Sequence, residues 1–132
     1  MQFVNKKTLK YTIINGNFSN GNHITDEIRN RILTANAIIY DEYINIEFLN
    51  ALPLRPSCFF KALLNEFYED RIKQVNQLII QLAYRYGHVV HLKGLSHLFF
   101  EDFYPSIRHV KAFDIETKTI NLNLNIPEML LN

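Results

Sequence analysis

The sequence predicts a single α/β domain, with a mixed or largely parallel sheet of four to five strands covered by helices. Three observations predict this fold class. Runs of β-branched and aromatic residues alternate with segments of helical periodicity, in the order strand, helix, strand, helix, strand, helix, strand. The length of 132 residues suits one domain with a real core. The hydrophobic fraction of 48% excludes a disordered tail, and without a repeat or a low-complexity linker we assign residues 1–132 to one domain.

Bulk composition limits the compartment and the partners. The formal net charge of +1 gives no general attraction to phosphate or to anionic lipid. Cys58 is the only cysteine, which excludes an internal disulfide and a cysteine-based zinc site. The N-terminus lacks the apolar run of a signal peptide, and no stretch has the length of a membrane span. We therefore expect a cytoplasmic protein without membrane contact, and the many Asn, Ile, Lys, Phe and Tyr residues suggest an AT-rich bacterial or viral genome.

The first two elements are a strand and a helix. Leu9 to Ile14 carries β-branched and aromatic side chains, which favours a strand. A stretch rich in asparagine and glycine follows, and Thr25 then begins a helix that runs to Thr34. Asp26 and Glu27 lie in its first turn, where acidic side chains favour the helix dipole.

The next pair is predicted to be a strand and a helix capped by a serine. Within the β-branched segment Ala37 to Phe48, the residues from Ile44 onwards alternate between apolar and polar, which predicts a strand with one buried face. A loop with two prolines ends at Ser57, whose hydroxyl oxygen suits a helix N-cap. The apolar stripe of the helix that follows contains Phe60, Leu63, Leu64 and Phe67.

A second helical stripe leads to a short buried strand. This stripe consists of Ile72, Val75, Ile79, Leu82 and Tyr86. The two stripes form either one long helix or two helices with a break near residues 69–71. Gly87 is well placed to end the helix, and His88 to Leu92 then predicts a buried strand.

The last third is predicted to add a short helix and two strands. Ser96 caps a helix that extends to about Tyr104. Val110 to Ile115 is a strand candidate, and Thr119 to Ile126 alternates apolar residues with asparagine like an edge strand.

This order of elements over about residues 25–114 resembles a STAS domain, especially the small STAS-like proteins of bacteria and their mobile elements. The matching pieces are the helix Thr25 to Thr34, the strand Tyr43 to Phe48, the loop Pro56-Ser57-Cys58-Phe59, the helix Phe60 to Phe67, the segment Val89 to Ser96 with its Gly94-Leu95-Ser96 turn, and the strand Val110 to Asp114.

The resemblance implies a non-enzymatic regulatory module that docks a protein partner. Docking would use the helix start at Ser57, with Cys58 and Phe59 beside it on the same face. Ser57 would also be the phosphoacceptor of a switch, since phosphate at a helix N-terminus is stabilised yet adds charge to a docking face. An ordinary N-cap explains the same serine, so the two interpretations both stay open.

A cluster of aromatic residues predicts a second part of the partner surface. Phe99 and Phe103 are four residues apart on the predicted short helix, as are Phe100 and Tyr104. This is more apolar surface than one buried helix face requires. Core packing explains about half of it, and the remainder is typical of a protein partner or a homodimer interface.

The alternative function is that of a mobile-element or phage-type protein that binds nucleic acid or a host protein. Lys6, Lys7 and Lys10 would contact the phosphates, and Tyr11 would stack a base. Such lysines more often form a soluble edge, so we expect no nucleic-acid partner.

The chemistry-bearing residues form no recognisable catalytic or metal site. His88 and His91 would point to opposite faces of one strand and could not hold the same metal ion. Adjacent acid pairs, such as Asp41 and Glu42, look like solvated surface. Lys93-Gly94 lacks the other glycines of a phosphate-binding loop. We therefore expect no catalytic residue, no metal site, no cofactor and no enzymatic activity.

Overall fold

A computed structural model describes residues 8–16, 25–52, 55–64, 69–94 and 104–121. They form an α/β fold with a five-stranded sheet in the order β3-β2-β4-β1-β5, in which every neighbouring pair is parallel. The strands are β1 (Lys10–Asn15), β2 (Ala37–Asp41), β3 (Phe59–Leu63), β4 (His88–Lys93) and β5 (Glu116–Asn121). The helices are α1 (Asp26–Leu33), α2 (Ile46–Asn50), α3 (Glu69–Tyr86) and α4 (Tyr104–Lys111). The predicted fold class is confirmed, with the sheet fully parallel.

The strand order places a topological switch point between β1 and β4. From β1 the chain crosses to β2 and then to β3 at one edge of the sheet. It returns to β4, beside β1, and then crosses to β5 at the opposite edge. The crossovers therefore leave β1 and β4 in opposite directions. In open parallel sheets, ligands bind in the crevice outside the carboxyl ends of the strands at such a point.

Two hydrophobic clusters cover the two faces of the sheet. Alternate residues of the strands pack against α3 and α4 on one face and against α1 and α2 on the other. We call these the α3 face and the α1 face. All six residues of β4 are buried, as expected for the central strand of a sheet covered on both sides.

The predictions for β1 and α1 are confirmed. The side chain of Thr25 caps α1 by accepting a hydrogen bond from the Ile28 nitrogen, at 3.2 Å. Ile28 and Ile32 are buried, one turn apart, and pack on the α1 face. The predicted termination by Gly87 is also confirmed, because this residue follows α3 directly and has a φ of +108°.

The predicted strand over Ile44 to Phe48 is wrong, because this segment leads into the short helix α2. Asn45 accepts a hydrogen bond from the Glu47 nitrogen at 2.7 Å and so caps the helix. Ile44 and Phe48 are both buried, and their spacing of four residues fits one helical face as well as a strand's alternation.

The predicted helix at Ser57 is also wrong. Ser57 is exposed in a turn, and the chain then enters strand β3, so this serine caps no helix. The short apolar run after it satisfies helical and strand periodicity alike, and pairing with β2 decides between them. Helix α3 begins only at Glu69, and residues 65–68 lie outside the described part.

The predicted strand over Val110 to Ile115 is a helix end and a turn. Val110 is a buried residue of α4, and Asp114 ends the segment in the left-handed region with a φ of 61°. Strand β5 then begins at Glu116 and forms an edge of the sheet, as predicted for this part of the chain. The helix expected from Ser96 and the end of the strand expected to reach Ile126 lie outside the described residues. Among the described helices, none is long and apolar enough to cross a membrane.

Candidate functional site

Polar residues end four neighbouring strands at the carboxyl edge of the sheet. Asn15 is the register partner of both Lys93 and Asn121, and Asp41 follows Tyr40, whose partner is Leu92. The four side chains therefore lie at one level across the sheet and on its α3 face. We call Asp41, Lys93, Asn15 and Asn121 the polar row. It spans the switch point, where a ligand is expected in this class of fold.

Asp41 connects the loops that follow β2 and β4. It is fully buried, and its Oδ1 accepts a hydrogen bond from the Tyr43 nitrogen at 2.9 Å. Its Oδ2 accepts one from the Gly94 nitrogen at 2.7 Å. Because backbone N–H groups satisfy both oxygens, this carboxylate fixes the shape of the edge.

A glycine directly follows each of the two strands at the switch point, Gly16 after β1 and Gly94 after β4. A Cβ on Gly94 would lie 3.0 Å from the carbonyl carbon of Tyr43, which is tighter than ordinary contacts. The nitrogen of Gly16, directly after β1, donates to the Lys93 carbonyl at 3.0 Å. At Gly94 the absence of a side chain lets the loops that follow β2 and β4 lie this close together.

Lys93 and the two asparagines supply hydrogen-bonding groups of both kinds. Lys93 is only 3% exposed, an uncommon burial for a lysine, and stands next to Asp41 in the register. Asn15 donates through Nδ2 to Oδ1 of Asn121, at 3.0 Å. The row thus combines a lysine and two side-chain amides on three adjacent strands, next to the backbone-bonded carboxylate of Asp41, which suits a polar ligand with several functional groups.

A buried hydrogen-bonded pair lies deeper on the same face. The hydroxyl of Tyr11 lies 2.6 Å from Nδ1 of His91, and the two residues are 1% and 0% exposed. Asn76, on α3, has a buried Oδ1 without a hydrogen-bond partner among the described residues. The hydrophobic core of the α3 face therefore includes a few buried polar groups, which are uncommon in a parallel-sheet core.

The residues predicted for protein docking lie far from the polar row. Ser57, Cys58 and Phe59 are at the start of β3, at the amino edge of the sheet. Cys58 is half-buried and burial raises its thiol pKa, while Phe59 stacks on Tyr86 with ring centroids 5.4 Å apart. Phe99 and Phe103 lie outside the described residues. The role of Ser57 as a phosphoacceptor stays a prediction, as do a protein partner and a homodimer.

The residues predicted for nucleic acid are only partly described. Lys10 begins β1 and is half-buried. Tyr11 points into the core, so its ring is not accessible to a base. Lys6 and Lys7 lie outside the described residues.

Sequence reasoning missed the polar residues that the tertiary structure buries. Asp41 was expected on a solvated surface but is buried, and His88 and His91 are buried with it. His88 and His91 do point to opposite faces, as predicted, because they bond to Thr12 and Tyr11, which are neighbours on β1. The signal available for Asp41 was its position at the end of an apolar run before a turn. Within the described ranges, no three His, Cys, Asp or Glu residues are grouped to hold a metal ion.

Together these features define an open parallel-sheet domain with a polar edge at its switch point. No protein-family model matches the sequence, and no curated protein matches it either. Among solved structures, uroporphyrin-III C-methyltransferase from Thermus thermophilus aligns with a TM-score of 0.63 at 14% identity, covering 85% of this chain and 47% of that one. A cobalamin biosynthetic enzyme, cobalt precorrin-4 methyltransferase, aligns with a TM-score of 0.63 at 10% identity, covering 90% and 48%.

These comparisons correct the interpretation drawn from the sequence. The chain shares its fold with methyltransferases and spans about half of their length. The resemblance to a STAS domain is wrong, because the helix at Ser57 and two of the matched strands do not exist as such. The prediction of a non-enzymatic regulatory module that docks a partner at this helix start is therefore wrong as well.

Proposed function

We propose that this chain is the sheet domain of a methyltransferase-type enzyme, with S-adenosylmethionine bound at the polar row. The fold that it shares with two methyltransferases supports this proposal. The observation that carries it is the position of Asp41, Lys93 and Asn15 across the switch point. A surface that had only to be soluble would not need a buried lysine and a buried carboxylate in adjacent strands.

The groups of the polar row match those of the methyl donor. S-adenosylmethionine has a carboxylate, an ammonium group, ribose hydroxyls and a sulfonium that carries the transferable methyl group. The ammonium of Lys93 suits the carboxylate, and the amide of Asn15 can bond a hydroxyl through its oxygen or its nitrogen. Asp41 acts indirectly, by holding the loops after β2 and β4 at the edge where the donor binds. In this arrangement the protein binds and orients, and the bound donor supplies the methyl group.

The two neighbouring enzymes are a uroporphyrin-III C-methyltransferase and a cobalt precorrin-4 methyltransferase. Because this chain spans about half of each neighbour, their substrates are not carried over to it. The proposal concerns the donor site, which the carboxyl edge of the sheet can form from the described residues.

Equilibrium dialysis or calorimetry with S-adenosylmethionine and S-adenosylhomocysteine tests the proposal. We expect saturable binding of both, and Asn15→Ala should weaken it by about tenfold through the loss of a hydrogen bond to the ligand. Gln77→Ala, an exposed change on α3, is the matched control and should bind like the wild type. A folded wild-type protein that binds neither compound, or an Asn15→Ala variant with unchanged affinity, would refute the assignment.

A further inference from the structure

A cavity opens at the opposite edge of the sheet from the polar row, where strands β1 and β4 begin. It has a volume of about 650 Å³, within the range of small-molecule pockets. Its walls come from the start of β1 with Lys10, the last turn of α1 with Arg31, the start of β4 with His88, and Asn36 and Tyr86. We call it the amino-edge groove. The length of a six-residue strand, roughly 20 Å, separates it from the polar row.

Among the described residues that line the groove, two are cations and none is a carboxylate. Lys10 makes no hydrogen bond or ion pair with its side chain among the described residues, although Glu116 is its register partner on β5. Arg31 has one long ion pair, 3.9 Å to Oε1 of Glu27. That same oxygen lies 2.7 Å from Nζ of Lys118, which is the closer partner. Both groove cations therefore retain hydrogen-bonding capacity for a ligand.

Capping of helix α1 does not account for these cations. The guanidinium of Arg55 donates to the carbonyl oxygen of Ala35 at 2.7 Å, just beyond the helix end. The Thr34 hydroxyl and backbone nitrogen both donate to the Asn30 carbonyl, at 2.9 and 3.0 Å. The carbonyl oxygens at the end of α1 thus accept hydrogen bonds from groups other than the side chains of Lys10 and Arg31.

His88 forms a neutral wall of the groove. Its Nε2 lies 2.9 Å from the Thr12 hydroxyl, and the imidazole also bonds the backbone of Thr34. Its pKa is lowered by burial and then by the positive charges of Arg31 and Lys10, which together outweigh the opposing effects of the Thr34 backbone bond and of Glu116. The charges that the described residues bring to the groove are therefore those of Lys10 and Arg31, both positive.

Asn36 adds a neutral donor to the groove. Its Oδ1 accepts a hydrogen bond from the backbone nitrogen of His88, at 2.9 Å. The amide NH₂ group is then the part of the side chain that can donate to a ligand.

From this combination we propose that the amino-edge groove binds a small molecule through a phosphate group held by Lys10 and Arg31. Arg is suited to bidentate phosphate recognition, and Lys adds a point charge. A nucleic acid fits less well, because no aromatic ring among the described residues of the groove has a face open to stack a base. Tyr11 is buried, and Tyr86 is covered by Phe59 on one side and contacted by Arg85, 5.5 Å from its ring centroid.

Titration of the full chain with inorganic pyrophosphate, followed by ³¹P NMR and calorimetry, tests the proposal. Saturable binding is expected, and Lys10→Gln and Arg31→Gln should each weaken it by about tenfold or more, since each removes a charge-assisted hydrogen bond. Lys73→Gln is the matched control, because it removes an exposed lysine from α3, outside the groove. Thermal melts of the three variants verify that each one is folded under the binding conditions.

Three outcomes would overturn the proposal. The first is the absence of saturable pyrophosphate binding to the folded wild type. The second is an affinity that neither groove variant changes. The third is tighter binding of a single-stranded oligonucleotide than of pyrophosphate, with a steep salt dependence and loss in Lys10→Gln, which would assign the groove to a phosphodiester backbone instead. Because Asn15→Ala should leave pyrophosphate binding intact, failure of the methyl-donor site and failure of this groove can be told apart.

Discussion

Asp41 holds together the two loops that shape the carboxyl edge, so its replacement by alanine should destabilise the protein strongly. The carboxylate is fully buried and accepts hydrogen bonds from the backbone nitrogens of Tyr43 and Gly94, at 2.9 and 2.7 Å. Asp41→Ala removes both acceptors and leaves two N–H groups without their partner. Asp41→Asn keeps one oxygen as an acceptor but turns an NH₂ group towards the second donor.

The magnitude follows from these two contacts. A hydrogen bond to a charged group contributes about 1.5–3 kcal/mol. Water can reach the loops once the side chain is removed, so we take the lower value for each bond and expect a loss of about 3 kcal/mol for Asp41→Ala. Asp41→Asn should lose roughly half of that, since one of the two bonds survives.

Urea unfolding followed by far-UV circular dichroism measures both losses. With a slope of about 1–3 kcal/mol per molar urea, the midpoint of Asp41→Ala should fall by roughly 1–3 M. Asp70→Asn, an exposed change near the start of α3, is the control and should leave the midpoint unchanged. A single hydrogen bond between neutral groups contributes about 1 kcal/mol. If Asp41→Ala lowers the free energy of unfolding by less than this, the carboxylate does not hold the two loops together.

Two further changes test other parts of the fold. The pKa of His88 is lowered by burial in the folded state, so as the pH falls below the ordinary value of 6.5 the unfolded chain takes up a proton that the folded one resists. The free energy of unfolding should therefore decrease as the pH falls from about 6.5 to the lowered pKa of folded His88. Urea titrations at several pH values measure this dependence, and His88→Gln should remove the part of it that His88 causes. If the free energy of unfolding depends on pH in the same way in both proteins, the explanation is refuted. Gly87→Ala should lower the free energy of unfolding by about 1–2 kcal/mol, because φ at this residue is +108° and the added Cβ would lie 3.2 Å from Oδ1 of Asn36. A thermal melt measures the effect, and an unchanged melting temperature would show that the backbone at the end of α3 adjusts freely.

Local signals identified the elements whose sequence allows only one structure. Thr25 with its two following acids marked the start of α1, and the long stripe from Ile72 to Tyr86 with Gly87 marked the body and end of α3. The apolar run after Gly87 was too short for a helix and became the central strand β4. In each case capping, periodicity and length agree, so no distant contact was needed to decide.

Short apolar runs were where local reasoning failed. Phe59–Leu63 fits a strand or a helical turn equally well, and only the parallel ladder with β2 selects the strand. The segment after Tyr43 has alternation, but the side chain of Asn45 caps a helix there. The prediction of a docking helix at Ser57 depended on both segments, which explains why the family interpretation failed with them.

By itself, the sequence determined the α/β class, the positions of α1 and α3, and the buried character of β4, because periodicity, capping residues and run length are patterns within a few residues of one another. Only the tertiary structure decided the strand order and, with it, the candidate site. Asn15, Asp41 and Lys93 are far apart in the chain, and each alone looks like an ordinary polar residue at the end of a strand. They form one row because parallel pairing through β4 sets all three strands in register, and pairing between distant segments leaves no signature in either segment alone.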